Sequence, residues 1–473
     1  MELETLLDIS NRATTTPFGA TITFWDELPP EEDAMVQSLN SRSAGGLKKN
    51  LGIIFDEGGA EAFMEKFYSG YEHKSIADCG SVSGAIDCIS MLAAKELQNW
   101  WAYNGQETST RFIDVTGLGH FDPLGTALSD DIMKEWFSFY VSALPALIEH
   151  LISVRPRITE GDRTEKESAY RSMIEKRAYD ILGAFLPAGT KTNASCHMEL
   201  RQWDDKLSYM VYHPLPEIAA LGTEMLEALQ KRYPATFIKK KQRPKSEQYR
   251  KDCIQRFCAL PGTDLPRRTL QAVQEYGYSI HTRFQDNRLI KGIYRPLLEE
   301  RPEKVDPYKL LNEAGSYRIA FLLDYRSHRD IQRQRSALQR VPILTTELGF
   351  EPWYLEQLPA SLRDTAELLL QRQKERIALL PCDELTRQYY VAMGYKVLDI
   401  FTIPLADLLY IIELRTGTTV HPTVRTAVLK WYYELRVLLP EWVRIYANES
   451  ADDFDIKRSQ QDLFVDGKRV SEM

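Results

Sequence analysis

The stretch that decides how this chain is read is "GQETSTRF", residues 105–112, a short polar run that follows the apolar, helix-like segment "SGAIDCISMLAAKELQNWW" (83–101). If the run is extended, Glu107, Ser109 and Arg111 share one face, because side chains alternate along a strand. An arginine fork donates two parallel hydrogen bonds, which suits a phosphate or the edge of a planar base. A neighbouring serine can donate to the same anion, and a carboxylate can orient the guanidinium or accept from an imide N–H. The plainer reading is a solvated turn with one local Glu–Arg pair, and residue types alone favour it.

Three further stretches carry chemistry. In "GYEHKSIADCG" (70–80), His73 and Ser75 precede an expected helix start, and Ser75 with Asp78 reads most simply as a capping box. In "DYRSHRDIQRQR" (324–335), Arg326, His328, Arg329, Arg333 and Arg335 fall within a few residues. On a helix Arg326, Arg329 and Arg333 line one face, and such a row is costly without anions nearby. A diphosphate or nucleotide fits it; RNA contact or a salt-bridged surface are the duller alternatives. The third is the pair "MELRQWDDKLSYMVYHP" (198–214) and "LADLLYIIELRTGTTVHP" (405–422), in which Arg201 and Arg415, with Arg425 nearby, are further candidates for anion contact.

Composition narrows the classes. The chain has 473 residues, 44% apolar and 27% charged, enough for two or three domains with a sizeable core. A formal net charge of −8 disfavours wholesale nucleic-acid binding, although "KKKQRPK" (239–245) is a local basic run. The six cysteines form no Cys-x-x-Cys pair, so they read as reduced thiols of a cytoplasmic protein and imply neither a metal site nor a disulfide framework. No stretch approaches 18 continuous apolar residues, so no membrane segment is expected. Gly-rich phosphate loops, Gly-x-Ser-x-Gly elbows and His-Glu-x-x-His motifs are absent.

Periodicity predicts helices over 83–101, with Ile86, Ile89, Ala93, Leu97 and Trp100 on one stripe, and over 129–152, capped by Ser129 or Asp130. Further helices are expected at 165–186, at 214–231 with Ile218, Leu221, Met225 and Leu229 inward, and from 306 to 447. The charged run 238–252 reads as an exposed connector. A weak repeat pairs 92–112 with 319–335, "GAFLP" (183–187) with "IALLP" (377–381), and the His-Pro of 213–214 with that of 421–422. Three matches in the same order make a duplication plausible.

Together these motifs resemble the flavin-dependent thymidylate synthases, as a long, two-lobed, diverged tandem relative. "NWWAYNGQETSTRF" aligns with the family's Arg-His-Arg, spacer, Ser-x-Arg-Tyr signature, placing Ser109, Arg111 and Phe112 on its closing residues and Glu107 on its acidic position. "GYEHKSIAD" resembles the family's histidine and serine motif through His73, Ser75 and Asp78, and "LPAGTKTNASCHMELRQWDDKL" places Arg201 on a substrate-binding arginine. The family's Arg-His-Arg falls on Asn99, Trp100 and Trp101, whereas "RSHR" (326–329) and Arg415 stand in the second half.

The resemblance implies a helix-rich α+β fold in which two diverged copies form a pseudo-dimer around a composite site. The expected organisation is an N-terminal extension (1–59), a first lobe (60–235), a connector (236–300), a second, degenerate lobe (301–447) and a polar tail (448–473). It also implies reductive methylation of dUMP or a close pyrimidine nucleotide, with FAD as cofactor and NADPH and methylenetetrahydrofolate as co-substrates. Gln106, Glu107, Ser109, Arg111, Arg201 and Arg415 would then face substrate, and His73, Ser75, Arg326, His328, Arg329 and Arg333 the cofactor. No metal is implied, and a homo-oligomer, a dimer of pseudo-dimers, is expected. The alternative is a nucleotide-binding or regulatory relative that has lost flavin and catalysis.

Overall fold

In the computed structural model, residues 8–9, 11–56, 59–111, 113–114, 116–160, 164–237, 244–258, 265–340, 343–450, 464–465 and 468–469 are described. The chain divides into two units, one of residues 1–86, 102–106 and 194–258, the other of residues 87–101, 107–193 and 259–473.

Proline at the first position and Glu31, Glu32 and Asp33 in the first turn favour helix α1 (Pro30–Leu39), since acidic groups complement the helix N-terminus. Helix α2 covers Gly46–Asp56. Ser90 then splits the apolar run at 83–101 into strand β1 (Ser81–Ser90) and helix α3 (Met91–Gln98). Its side chain accepts from the Ala93 N–H at 2.9 Å, so the helix begins there. Ile86 and Ile89, expected on a helical stripe, lie in the strand, where β-branched residues pack well.

Helix α4 (Ala127–Val154) starts from Thr126 rather than Ser129 or Asp130, because Thr126 and Ser129 cap each other reciprocally. It is long and apolar enough to cross a membrane by length and composition, yet Met133, Trp136, Tyr140 and Leu147 along it are buried in the protein. Next come α5 (Glu167–Leu182), β2 (Lys191–Glu199), which pairs with β1, α6 (Leu200–Met210) and α7 (Pro216–Arg232). On α7, Ile218 is buried, whereas Leu221, Met225 and Leu229 are only partly so. Of the run expected as a connector, 238–243 lies outside the described residues, and the remainder starts α8 (Pro244–Phe257), which buries nothing.

Helix α9 (Arg267–Tyr276) ends at Gly277, whose φ of +80° suits glycine in a left-handed cap. Then follow β3 (Tyr278–Gln285), β4 (Gly315–Asp324), α10 (Tyr325–Ile331), β5 (Leu338–Arg340), α11 (Ala360–Ala378), β6 (Lys396–Pro404), α12 (Leu405–Arg415) and α13 (Pro422–Leu438). The four strands form an antiparallel sheet in the order β3-β4-β6-β5, with Tyr278 opposite Phe321 and Phe321 opposite Asp399. Alternation gives the sheet two apolar faces. Tyr317, Ile319, Phe321 and Leu323 join Phe401, Leu408, Val428 and Trp431 in the main core, while Ala320 and Ile400 meet Val273 of α9. Residues 315–324 and 396–404, expected to be helical, are these central strands: burial on both faces makes each read as an apolar run. The fold is helix-rich α+β.

Two runs of elements match in length. Strands β1 and β4 have ten residues each, β2 and β6 nine, α6 and α12 eleven, α7 and α13 seventeen. Backbone hydrogen bonds match as well. The N–H groups of Met91 and Leu92 donate to Thr190 and Ala188, as those of Tyr325 and Arg326 donate to Tyr395 and Met393. Lys191 donates to Gly119 and Lys396 to Gly349, and both glycines are left-handed, at φ +72° and +80°. The two loops also bond each other reciprocally: Ala188 to Val391 with Met393 to Leu186, and Gly189 to Tyr389 with Gly394 to Ala184. "GAFLP" therefore stands opposite residues 388–392. "IALLP" instead closes α11, so that one match read from sequence is a coincidence of helix ends.

Candidate functional site

Asp324 caps α10 by accepting from the Ser327 N–H at 2.9 Å, and Tyr354 donates to the same carboxyl at 2.7 Å. This fixes the helix start, so Arg326 and Arg329, with Arg333 just beyond the helix, meet around one cleft with Ser109, Thr110 and Arg111. Ser327, Asp330 and His421 complete its wall; the cavity proper is small, about 30 Å³, and reaches about 350 Å³ only when the open solvent at its mouth is counted. Residues 104–108 lie along β2: Asn104 and His197 exchange backbone bonds, Ser195 donates to the Gln106 carbonyl and Thr108 to that of Asn193. Residues 110–111 form a turn, three consecutive side chains reach the cleft, and Glu107 is buried beneath it.

Glu107 is held on both oxygens. Lys95 Nζ and Gln98 Nε2 reach Oε2 at 2.6 and 2.7 Å, and Arg329 Nη2 reaches Oε1 at 2.6 Å. Burial by itself raises the Glu107 carboxyl, but Arg329 and Lys95 outweigh it and hold it down at about 2. Burial lowers the Lys95 ammonium, against the pull of Glu107. Glu107 thus serves as the internal counter-charge of Arg329 and Lys95, and Arg111 is oriented by other groups.

Arg111 donates from Nε to Asp180 at 3.0 Å and from Nη1 to Asp330 at 3.4 Å, with Nη2 on the Thr419 carbonyl. Asp330 feels burial upward, but Arg111, Arg415 and Arg333 bring it below the usual carboxylate range. Arg326 donates from Nη2 to the Thr110 carbonyl at 2.9 Å, while its Nε and Nη1 are buried with no hydrogen-bond partner. Its guanidinium lies so close to Gly183 that a Cβ there would sit 1.3 Å from Nη1. Arg329 Nε and Arg415 Nε are likewise buried without a partner. Arg333 is exposed and has no ion pair among the described residues. Five guanidiniums and Lys95 face Glu107, Asp180 and Asp330, leaving an excess of positive charge aimed at the cleft.

The remaining candidates fall elsewhere. His328 points into the core, with Nδ1 2.9 Å from Asp399 and its ring stacked on Tyr325, so it is not among the cleft residues. Gln106 belongs to the other unit and its backbone pairs with Ser195. In that unit His73 Nδ1 is 3.2 Å from Arg42, and Arg201 pairs with Asp78 at 2.9 Å. Asp78 is therefore a salt-bridge partner, and the Ser75–Asp78 capping box does not form: residue His73 caps the short turn 74–76 with no side-chain bond. Phe112 lies outside the described residues, as do residues 239–243 of the basic run.

Lys95, Gln98, Thr110, Asp180 and His421 were not singled out as site residues. Lys95 was legible as the one cation inside an apolar helical stripe; Asp180 offered no local signal, because its role depends on a contact far along the chain.

Residues 29–235 match the family described as thymidylate synthase complementing protein, which bears out the resemblance over that stretch. Along most of its length the chain is also similar to proteins named UPF0159. One from Thermoplasma acidophilum is 23% identical, covering 84% of this chain and 91% of the relative. Another from Chlamydia muridarum is 24% identical over 85% and 84%, and one from Chlamydia pneumoniae 23% over 85% and 83%.

Proposed function

Starting from a chain related to the thymidylate synthase complementing proteins, we propose that it binds dUMP or a close pyrimidine nucleotide in the arginine cleft and methylates it reductively. The observation that carries this reading is the convergence of Ser109–Arg111 with Arg326, Arg329 and Arg333 on one cleft with excess positive charge. The buried Nε groups of Arg326 and Arg329, unpartnered among the described residues, suit a phosphate in the cleft, whereas Arg326 Nη1 packs against Gly183.

The reading has FAD supplying the hydride when bound, methylenetetrahydrofolate the methylene and NADPH the electrons that restore the flavin. This chain's part is to bind and orient: Arg326 and Arg329 hold an anion from below, Arg333 from the rim, and Ser109 donates beside them. The two matched runs of elements support two diverged copies forming a pseudo-dimer, with residues from both in one site. Counted from the capping residues Ser90 and Asp324, the positions of Asn99, Trp100 and Trp101 are those of Arg333, Gln334 and Arg335. Arg333 and Arg335 are then the counterparts of the family's Arg-His-Arg, a role first read into residues 326–329. Pairing of such chains into a homo-oligomer, and a cytoplasmic location, belong to the same reading.

One observation favours a second reading, a nucleotide-binding relative without flavin: Asn99, Trp100 and Trp101 stand where the family has its flavin-contacting Arg-His-Arg. An absorbance spectrum during FAD titration, followed by assay of dUMP conversion to dTMP, separates the two. Flavin bands at bound stoichiometry with product formation are expected. No flavin uptake at saturating FAD, with dUMP still bound, overturns the catalytic reading in favour of the second.

A further inference from the structure

A second cleft lies at the far ends of α3 and α10, distinct in lining from the arginine cleft. Trp100, Trp101 and Leu338 supply its apolar wall and Gln332, Gln339 and Arg335 its polar one, around a cavity of about 180 Å³. Trp101 and Leu338 are 67% and 75% exposed, so these apolar groups fill no core in this chain. The two glutamines are held in one orientation. Gln332 Nε2 donates to the Lys95 carbonyl at 3.0 Å, and Gln339 Nε2 to the carbonyls of Gln334 and Gln332 at 2.7 and 3.2 Å. A carbonyl accepts only, so the NH2 end of each amide must face it and the oxygen must face away. Both Oε1 atoms are buried with no hydrogen-bond partner among the described residues, and Gln332 is only 5% exposed.

A buried acceptor without a donor costs stability, and the free chain carries two in one cleft. Solvent-exposed tryptophan beside them offers a stacking surface for a planar ring. We infer that this cleft binds a planar heteroaromatic ring bearing exocyclic amino donors, stacked on the tryptophans and giving its N–H groups to Gln332 and Gln339. The cleft shares no lining residue with the arginine cleft, but Trp100, Trp101 and Arg335 occupy positions assigned above to the family's Arg-His-Arg, so the inference rests in part on that reading.

The test is calorimetry on the full chain with 2,6-diaminopurine riboside and with unsubstituted purine riboside, which has the ring but no amino donors. The diaminopurine is expected to bind saturably, and the purine at least tenfold more weakly. Trp101→Ala and Leu338→Glu, both at exposed positions, are each expected to weaken the diaminopurine at least tenfold with the melting temperature unchanged. Arg333→Ala, in the other cleft, is expected to leave it alone. Equal binding of the two ribosides, no saturable binding, or sensitivity to Arg333→Ala but not to Trp101→Ala overturns the inference.

Discussion

The two strand-to-helix junctions of this chain have one backbone and two chemistries. Ser90 caps α3 and Asp324 caps α10, each after a ten-residue strand, and the first two residues of both helices donate to equivalent carbonyls of a loop. Past the cap, the first helix reads Leu92, Ala93, Ala94, Lys95 and the second Arg326, Ser327, His328, Arg329. The cap and the strand pairing set the path of the chain; they place no demand on charge, so the same backbone carries different side chains. At the fifth position after the cap the two junctions remain linked, because Lys95 and Arg329 bind opposite oxygens of Glu107. One buried carboxylate balances one cation from each junction.

Removing that carboxylate is the hardest test of the comparison. Glu107→Gln leaves Lys95 and Arg329 buried without a counter-charge, and a cost of about 3–5 kcal/mol is expected in urea denaturation. Adding Lys95→Met should recover part of the loss, since one of the two orphaned charges is then gone. A loss for Glu107→Gln under about 1 kcal/mol means the two junctions are not coupled through this residue.

Gly183→Ala comes next. The new Cβ would meet Arg326 Nη1 at 1.3 Å, and Arg326 is only 4% exposed, so the guanidinium has little room to retreat. Overpacking of this kind costs about 1–3 kcal/mol. Titration with inorganic phosphate should show weaker binding as well. If stability falls and phosphate affinity stays, Arg326 is a structural cation only.

Arg333→Ala sharpens the contrast in the opposite sense. Arg333 is exposed and has no ion pair among the described residues, so stability should move by less than about 0.5 kcal/mol. Loss of one charge-assisted contact should weaken dUMP binding by about tenfold to a hundredfold and flatten its salt dependence. Unchanged affinity at low salt would remove Arg333 from the site.

How much of this was legible beforehand follows from the range of each interaction. The Arg326, Arg329 and Arg333 row was readable because helical spacing is local, and all three do meet at one cleft. The turn at 110–111 was not, because alternation suggested that the extension before it continues, and nothing nearby revealed that Glu107 would be claimed by Lys95 and Arg329. The central strands 315–324 and 396–404 were missed for a related reason: burial on both faces leaves no polar alternation to distinguish a strand from a buried helix. His328 looked like part of a basic motif, yet Asp399, on a strand far along the chain, draws it into the core.

The long helices beside the two loops differ in how they start, and this gives the smallest expected effect. Helix α4 opens on a reciprocal Thr126–Ser129 cap, with Ser129 also donating to Asp122 at 2.8 Å, whereas α11 follows Pro359 with no side-chain cap bond. Burial raises the Asp122 carboxyl, but hydrogen bonds from Tyr390 and Ser129 outweigh it and hold it below the usual carboxylate range. The unfolded chain therefore takes up this proton at higher pH than the folded one. The stabilisation is complete above the unfolded carboxylate value and is lost as pH falls through the depressed folded one. Asp122 is partly open to solvent, so screening limits the effect to less than about 1 kcal/mol. Asp122→Asn should remove this part of the acid-limb slope in thermal melts between about pH 5 and 3, a window set by ordinary carboxylate titration, while a charge-neutral change at the start of α11, Ser361→Ala, should leave the slope intact. If both variants keep the wild-type slope, the α4 cap does not draw stability from the ionised Asp122, and the two helix starts are electrostatically equivalent despite their different caps.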